Sequence, residues 1–156
     1  MFEYAKIIIL FGSSLIILSA LVTQRNLKIA TDYLRFLYYS LFISLFLAFI
    51  FQVKLHHTLR ASLYIPNTIT YFIYFVIVSS YFFIFRKMFL QHSYILIIIS
   101  FLFFGLAIVI DLLTDGKLII LNNNEIVEDA FHILGTVFWL LFFINFSTKL
   151  KSYNSS

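Results

Sequence analysis

Charged residues divide this chain into five long blocks that contain no Lys, Arg, Asp or Glu. The blocks are 18, 18, 25, 23 and 19 residues long, and they cover residues 7–24, 36–53, 61–85, 88–110 and 130–148. A helix needs about 20 predominantly apolar residues to cross the hydrocarbon core of a bilayer. Each block reaches that length once a flanking polar side chain extends to the headgroups. The blocks therefore predict five transmembrane helices.

The composition excludes the main classes of soluble protein. Hydrophobic residues make up 62% of the chain and charged residues 12%, whereas soluble domains carry about 45–50% and about 25%. A soluble enzyme, a nucleic-acid module and a disordered tail are excluded, and no nucleic-acid partner is expected. A spanning β-barrel would need alternating polar residues, and the runs 95–99 and 140–144 do not alternate. We predict an all-α, polytopic integral membrane protein with five transmembrane helices in a compact bundle.

The five helices are expected to form one transmembrane domain over residues 1–156, with short loops and no soluble domain. The third helix should begin near Pro66, since the missing N–H costs nothing in a first helical turn. The first block has an alternative as a signal peptide, but Glu3 accompanies Lys6 in front of it. We interpret it as a helix of the fold. The predicted helices cover approximately residues 5–24, 33–53, 64–86, 92–113 and 126–148.

The distribution of Lys and Arg predicts the orientation. Seven lie on the side of the loop between the first two helices: Arg25, Lys28, Arg35, Arg86, Lys87, Lys149 and Lys151. Four lie on the other side: Lys6, Lys54, Arg60 and Lys117. The positive-inside rule then places the N-terminus outside and the C-terminus in the cytoplasm. The usage of Ile, Phe, Lys and Asn is compatible with a prokaryotic inner membrane.

Most acidic residues and three of the four histidines fall on the predicted outer side. They are Asp111, Asp115, Glu125, Glu128, Asp129, His132, and the pair His56 and His57 in the loop after the second helix. Ionisable side chains at membrane depth are costly and often functional. Asp111 is opposed both by desolvation and by the negative end of its helix dipole. Either a proton, a cation or a metal compensates it, or its carboxylate reaches the headgroup level and is hydrated.

One face of the fifth helix carries most of its polar residues. The residues that recur at helical spacing are Glu128, His132, either Gly135 or Thr136, and Trp139, and polar or small residues in lipid normally face neighbouring helices. We expect this face to point into the bundle and His132 to approach Asp111 on the preceding helix. Glu125 and Asp129 have a simpler interpretation, because acids in the first turn of a helix complement its dipole.

These residues support two alternatives for the site. A buried histidine beside an acid is commonly a structural hydrogen bond. The same groups would also bind a divalent metal, and the hypothetical ligands are Asp111, Glu128, His132 and His57. No HExxH motif accompanies them. The absence of cysteine excludes thiolate sites and c-type haem. Haem b would require facing histidines such as His57 and His132, and nothing else in the sequence favours it.

The remaining polar residues of the blocks have structural interpretations. Gly12 and Gly105 contribute to small-residue surfaces suited to close helix packing. Ser40 and Ser44 can bond backbone carbonyls, and tyrosines such as Tyr71 are expected near the rims as an aromatic belt.

Three functions remain open from the sequence. The favoured one is a non-catalytic accessory or scaffold subunit of a membrane complex, which would contact the lipid bilayer and either other membrane subunits or copies of itself. The second is a metal-dependent membrane hydrolase that acts at the outer face. The third is an oligomeric proton or cation channel, because five helices are too few for a wide pore. The lack of a catalytic motif favours a protein that is not an enzyme.

Overall fold

The computed structural model describes residues 2–25, 31–53, 55–91, 93–115 and 124–153. Regular structure within these residues is helical throughout, which confirms the all-α class. The described residues form seven helices: α1 (Phe2–Arg25), α2 (Thr31–Val53), α3 (Leu55–Leu63), α4 (Asn67–Ile84), α5 (Arg86–Gln91), α6 (Tyr94–Asp115) and α7 (Asn124–Tyr153).

Four of these helices are long and apolar enough to cross a membrane, as a multi-pass membrane protein requires. Their apolar segments are Tyr4–Thr23, Thr31–Val53, Tyr94–Thr114 and Ile126–Leu150. The predicted third helix corresponds to α4, whose apolar segment, Thr68–Ile84, is shorter. The 18 residues of α4 extend roughly 27 Å at the usual helical rise, slightly less than the roughly 30 Å of a hydrocarbon core.

The ends of α4 have local causes. Pro66 precedes the helix with φ −59° and ψ 141°, and a proline cannot donate a backbone hydrogen bond. The helix ends at Phe85, which has φ −105° and ψ 17° and donates its N–H to the carbonyl of Tyr81. The chain then continues into the short helix α5 instead of extending α4.

Short helices occupy parts of the chain that were expected to be loop or a continuation of a long helix. His56 and His57 were expected in a loop, but the backbone there belongs to α3. Leu55, Leu59 and Leu63 recur every four residues, which is the spacing of an apolar helix face. The leucine spacing therefore explains why the segment between the second and third apolar blocks forms a helix, although it contains several polar residues.

The bundle is organised around α7. Helix α1 packs against α2 and α7, and α6 packs against α7. Trp139 of α7 is completely buried and donates its indole N–H to the Ser44 hydroxyl of α2 at 2.9 Å. Its ring also contacts Tyr81 of α4 and Phe101 of α6 at centroid distances of 6.3 and 6.1 Å. Trp139 therefore lies where four helices meet.

Aromatic side chains fill the half of the bundle in which α2 and α6 begin and α7 ends. Phe36 of α2 is fully buried and lies 5.5 Å from Phe85, 5.3 Å from Phe89 and 5.0 Å from Phe146 between ring centroids. We call this group the aromatic layer: Phe36, Tyr81, Phe85, Phe89, Phe142, Phe143 and Phe146. The candidate polar residues lie in the opposite half of the bundle.

Candidate functional site

The candidate site lies at the end of the bundle where α1, α4 and α7 begin and α2 and α6 end. We call it the polar end, and its described members are Lys6, Phe51, Tyr71, Asp111, Glu128, Asp129 and His132. These residues come from five helices, although they are spread over more than 120 positions of the chain. The fold therefore gathers four charged residues from distant parts of the chain, together with His132 and Tyr71, at one end of the bundle.

Lys6 and Asp129 form an ion pair between α1 and α7. The Lys6 ammonium lies 2.5 Å from a carboxylate oxygen of Asp129 and 5.1 Å from the centroid of the Phe51 ring of α2. Lys6 is only 7% exposed, so the Asp129 carboxylate and the Phe51 ring replace part of the hydration that its ammonium loses. The first-turn interpretation of Asp129 missed this pair. The signal in the sequence was Lys6 itself, because a lysine within the predicted helix 5–24 needs a counter-charge if it is buried.

His132 is buried on the inward face of α7, as its spacing predicted. It is 8% exposed, its Nε2 lies 3.4 Å from Oε1 of Glu128, and its ring lies 4.8 Å from that of Phe51. Its Nδ1 is buried and has no hydrogen-bond partner among the residues that the structure describes. Thr136 and Trp139 are also completely buried, so the predicted orientation of this face is confirmed.

Asp111 is held by a residue that sequence reasoning assigned elsewhere. The hydroxyl of Tyr71 on α4 donates a hydrogen bond to the Asp111 carboxylate on α6, and both residues are 7% exposed. Tyr71 lies near the start of α4, but it is buried in the bundle and does not face outward as a member of an aromatic belt would. A donor to a carboxylate opposes the cost of desolvation, so Tyr71 supplies at least part of the compensation that Asp111 requires.

The proposed metal ligands fall into separate described contacts. Asp111 accepts from Tyr71, whereas His132 contacts Glu128. Across the described residues, no group of three His, Cys, Asp or Glu side chains is arranged to hold a metal. His57 lies in α3, but its side chain falls outside the described part of the structure. Both the four-ligand metal site and a haem at His57 and His132 stay predictions.

Polar side chains throughout the bundle join helices in pairs. Ser40 of α2 and Tyr81 of α4 share a hydrogen bond of 2.6 Å, and Ser100 of α6 donates to the Gly135 carbonyl of α7 at 2.8 Å. The pairs Lys6–Asp129, Tyr71–Asp111 and Ser44–Trp139 also connect different helices. In a bilayer, such bonds are a main source of specific helix association.

The comparisons with known proteins identify a family. The model of a family described as a domain of unknown function (DUF8692) matches residues 4–146. The match begins in α1 and ends in α7, so the chain belongs to that family over nearly its whole bundle. No curated protein and no solved structure matches the chain.

Proposed function

We propose that this member of the DUF8692 family is a non-catalytic membrane protein that serves as an accessory or scaffold subunit, assembled with other membrane subunits or with copies of itself. The observation that carries the proposal is the pairwise use of polar side chains between helices. Lys6 bonds α1 to α7, and Tyr71 bonds α4 to α6. These bonds fix how the helices pack. A bundle with fixed packing can present a defined surface to a partner.

Two glycines favour an external partner for the bundle. A Cβ added to Gly12 of α1 or to Gly105 of α6 would meet nothing within 4 Å. Neither glycine is therefore needed for close packing inside the chain. Small residues on an outward face let another helix approach closely. The face of α1 beside Gly12 also exposes large apolar side chains, including Ile8, Phe11 and Leu15.

Substitution at these glycines tests the subunit role directly. The tagged full chain is purified in mild detergent, and native mass spectrometry measures its stoichiometric associates. We expect Gly12→Leu or Gly105→Leu to abolish association while leaving the melting temperature unchanged, because both positions are open. Gly12→Ala and Gly105→Ala are the matched controls and should retain association. A wild-type chain that is monomeric and without stoichiometric partners would overturn the proposal.

We also propose that α4 is a fifth span, with the N-terminus outside and the C-terminus in the cytoplasm of a prokaryotic inner membrane. Tyr71 and Tyr81 of α4 are both buried against the long helices, which supports a position within the bundle. The seven-to-four distribution of basic residues supports the orientation.

The absence of cysteine from the chain makes this topology easy to test. Ser62→Cys and Gln91→Cys place single, exposed thiols before and after α4. A membrane-impermeant maleimide should label position 62 on intact cells and position 91 only after permeabilisation. Labelling of both positions from one side would exclude α4 as a span, and the inverse pattern would reverse the orientation.

A metal-dependent hydrolase is a second candidate, favoured by the buried Nδ1 of His132, which lacks a hydrogen-bond partner among the described residues. A neutral imidazole nitrogen is a common metal ligand. Elemental analysis of the purified chain distinguishes the two functions. The control is His92→Gln, since His92 is the one histidine that the sequence does not place on the predicted outer side. Stoichiometric metal that is lost in His132→Gln but retained in His92→Gln would favour the enzyme. Substoichiometric metal in all three proteins would favour the subunit.

A further inference from the structure

An exposed aromatic groove runs along α2 in the half of the bundle that contains the aromatic layer. It has a volume of about 340 Å³ and is lined by Tyr38, Tyr39 and Phe42. These side chains are 60%, 54% and 63% exposed. Their spacing places them on one side of the helix, and Phe42 stacks against Phe46 one turn further along at 6.1 Å between centroids. The groove is thus an apolar strip directed away from the core.

Three basic residues lie close in the chain to aromatic residues at one end of this groove. Arg35 lies one turn before Tyr39 on α2. The ring of Tyr39 contacts that of Phe85 at 5.3 Å between centroids, and Arg86 and Lys87 follow Phe85 directly. All three basic residues are exposed. The contact between α2 and the end of α4 therefore brings three cations from two segments to one edge of an aromatic strip.

These cations have no acidic counterpart in the described part of the chain. Arg35, Arg86 and Lys87 form no ion pair with any described residue. Asp32, one turn before Arg35, is itself exposed and forms no ion pair with a described residue. The local charge is therefore positive by two even when Asp32 is counted. Lys149 at the same end differs, because its ammonium lies 3.4 Å from the Ser93 hydroxyl.

We propose that this surface binds an anionic phospholipid. The phosphate lies against Arg35, Arg86 and Lys87, and one acyl chain lies along Tyr38, Tyr39 and Phe42. Guanidinium groups bind phosphate in a bidentate manner, and basic pockets between helices at the cytoplasmic rim are suited to anionic headgroups. Tyrosine rings contact acyl carbons while their hydroxyls reach the headgroup level. The basic residues thus suit the headgroup of one lipid molecule and the aromatic residues suit its acyl chain. This inference does not depend on the proposed subunit role.

Native mass spectrometry of the detergent-solubilised full chain tests the proposal. Phosphatidylglycerol and phosphatidylcholine with identical acyl chains are titrated separately. We expect phosphatidylglycerol to bind more tightly by about tenfold or more, since its headgroup has a net negative charge, whereas the quaternary ammonium of phosphatidylcholine cancels the phosphate charge and is repelled by the basic residues. The variant R35Q/R86Q/K87Q should lose this preference. The matched control K28Q/K149Q/K151Q removes three charges that the sequence predicts on the same side of the membrane, and it should retain the preference.

The apolar part of the site has its own test. Phe42→Ala should weaken binding of both lipids several-fold and leave the preference for phosphatidylglycerol intact, because only the acyl contact is removed. Trp139 fluorescence and the melting temperature check that every variant remains folded. Equal binding of the two lipids by the wild-type chain, or an unchanged preference in R35Q/R86Q/K87Q, would overturn the proposal. Tighter binding of an acidic peptide than of phosphatidylglycerol would also overturn it.

Discussion

The ammonium of Lys6 lies 2.5 Å from a carboxylate oxygen of Asp129, so an ion pair joins the first and last long helices of the chain. The same ammonium lies 5.1 Å from the centroid of the Phe51 ring, which brings α2 into the contact. The Phe51 ring in turn contacts His132. One charged residue of α1 is therefore linked to α2 and α7, and these contacts specify how α1 is aligned in the bundle.

Removal of one member of this pair should destabilise the bundle. Asp129→Asn leaves the Lys6 charge buried without its counter-charge, and we expect the free energy of unfolding to fall by about 3 kcal/mol. The double variant Lys6→Met/Asp129→Leu should recover most of that loss, because apolar replacement of a buried pair is often neutral. Unfolding in mixed micelles measures both. The exposed Lys149 is the control, and Lys149→Met should change stability by about 0.5 kcal/mol or less.

Gly135 of α7 has no room for a side chain beside Phe104 of α6. A Cβ there would lie 2.8 Å from Cδ1 of Phe104, and Ser100 donates to the Gly135 carbonyl beside it. Gly135→Ala should therefore destabilise the chain by about 1–3 kcal/mol through overpacking, measured as a lower melting temperature. Gly105→Ala, which meets nothing within 4 Å, is the matched control. An equal melting temperature for the two variants would show that the Phe104 ring rotates away without cost.

The long helices and the inward face of α7 could be predicted because both depend on local sequence. Span length follows from the distance between charged residues, and the face of α7 follows from the spacing of His132, Thr136 and Trp139. In a helix that is otherwise apolar, the few polar residues mark the side that faces protein. The same rule placed Glu128 beside His132, since residues four apart are neighbours on a helix.

The contacts between distant helices could not be predicted in this way. Lys6 and Asp129 are 123 positions apart, and Tyr71 and Asp111 are 40 apart. Polar residues indicate which face of a helix is buried, as Lys6 and Ser13 do in α1. They do not indicate which other helix that face meets. Tyr71 contacts a carboxylate because α4 packs beside α6, and the local sequence does not indicate which helices are neighbours.

The Tyr71–Asp111 bond should contribute measurably to the attachment of α4. Tyr71→Phe removes the donor but keeps the ring, and we expect a loss of about 1.5–3 kcal/mol, as for other hydrogen bonds to charged groups. Asp111→Asn should cost less than Tyr71→Phe, because an amide oxygen can still accept from the tyrosine. Unfolding in mixed micelles measures both variants. The reverse order of stability would show that the charge of Asp111 matters more than its bond to Tyr71.

The bond between Trp139 and Ser44 offers a spectroscopic test of the centre of the bundle, because Trp139 is the only tryptophan of the chain. Ser44→Ala leaves the completely buried indole N–H without its acceptor, and we expect a loss of about 1–3 kcal/mol together with a blue shift of the emission. Ser40→Ala is the matched control. It removes the bond to Tyr81 and should leave the emission maximum unchanged. A shift of equal size in both variants would indicate a general loosening of the core around Trp139 instead of the loss of one hydrogen bond.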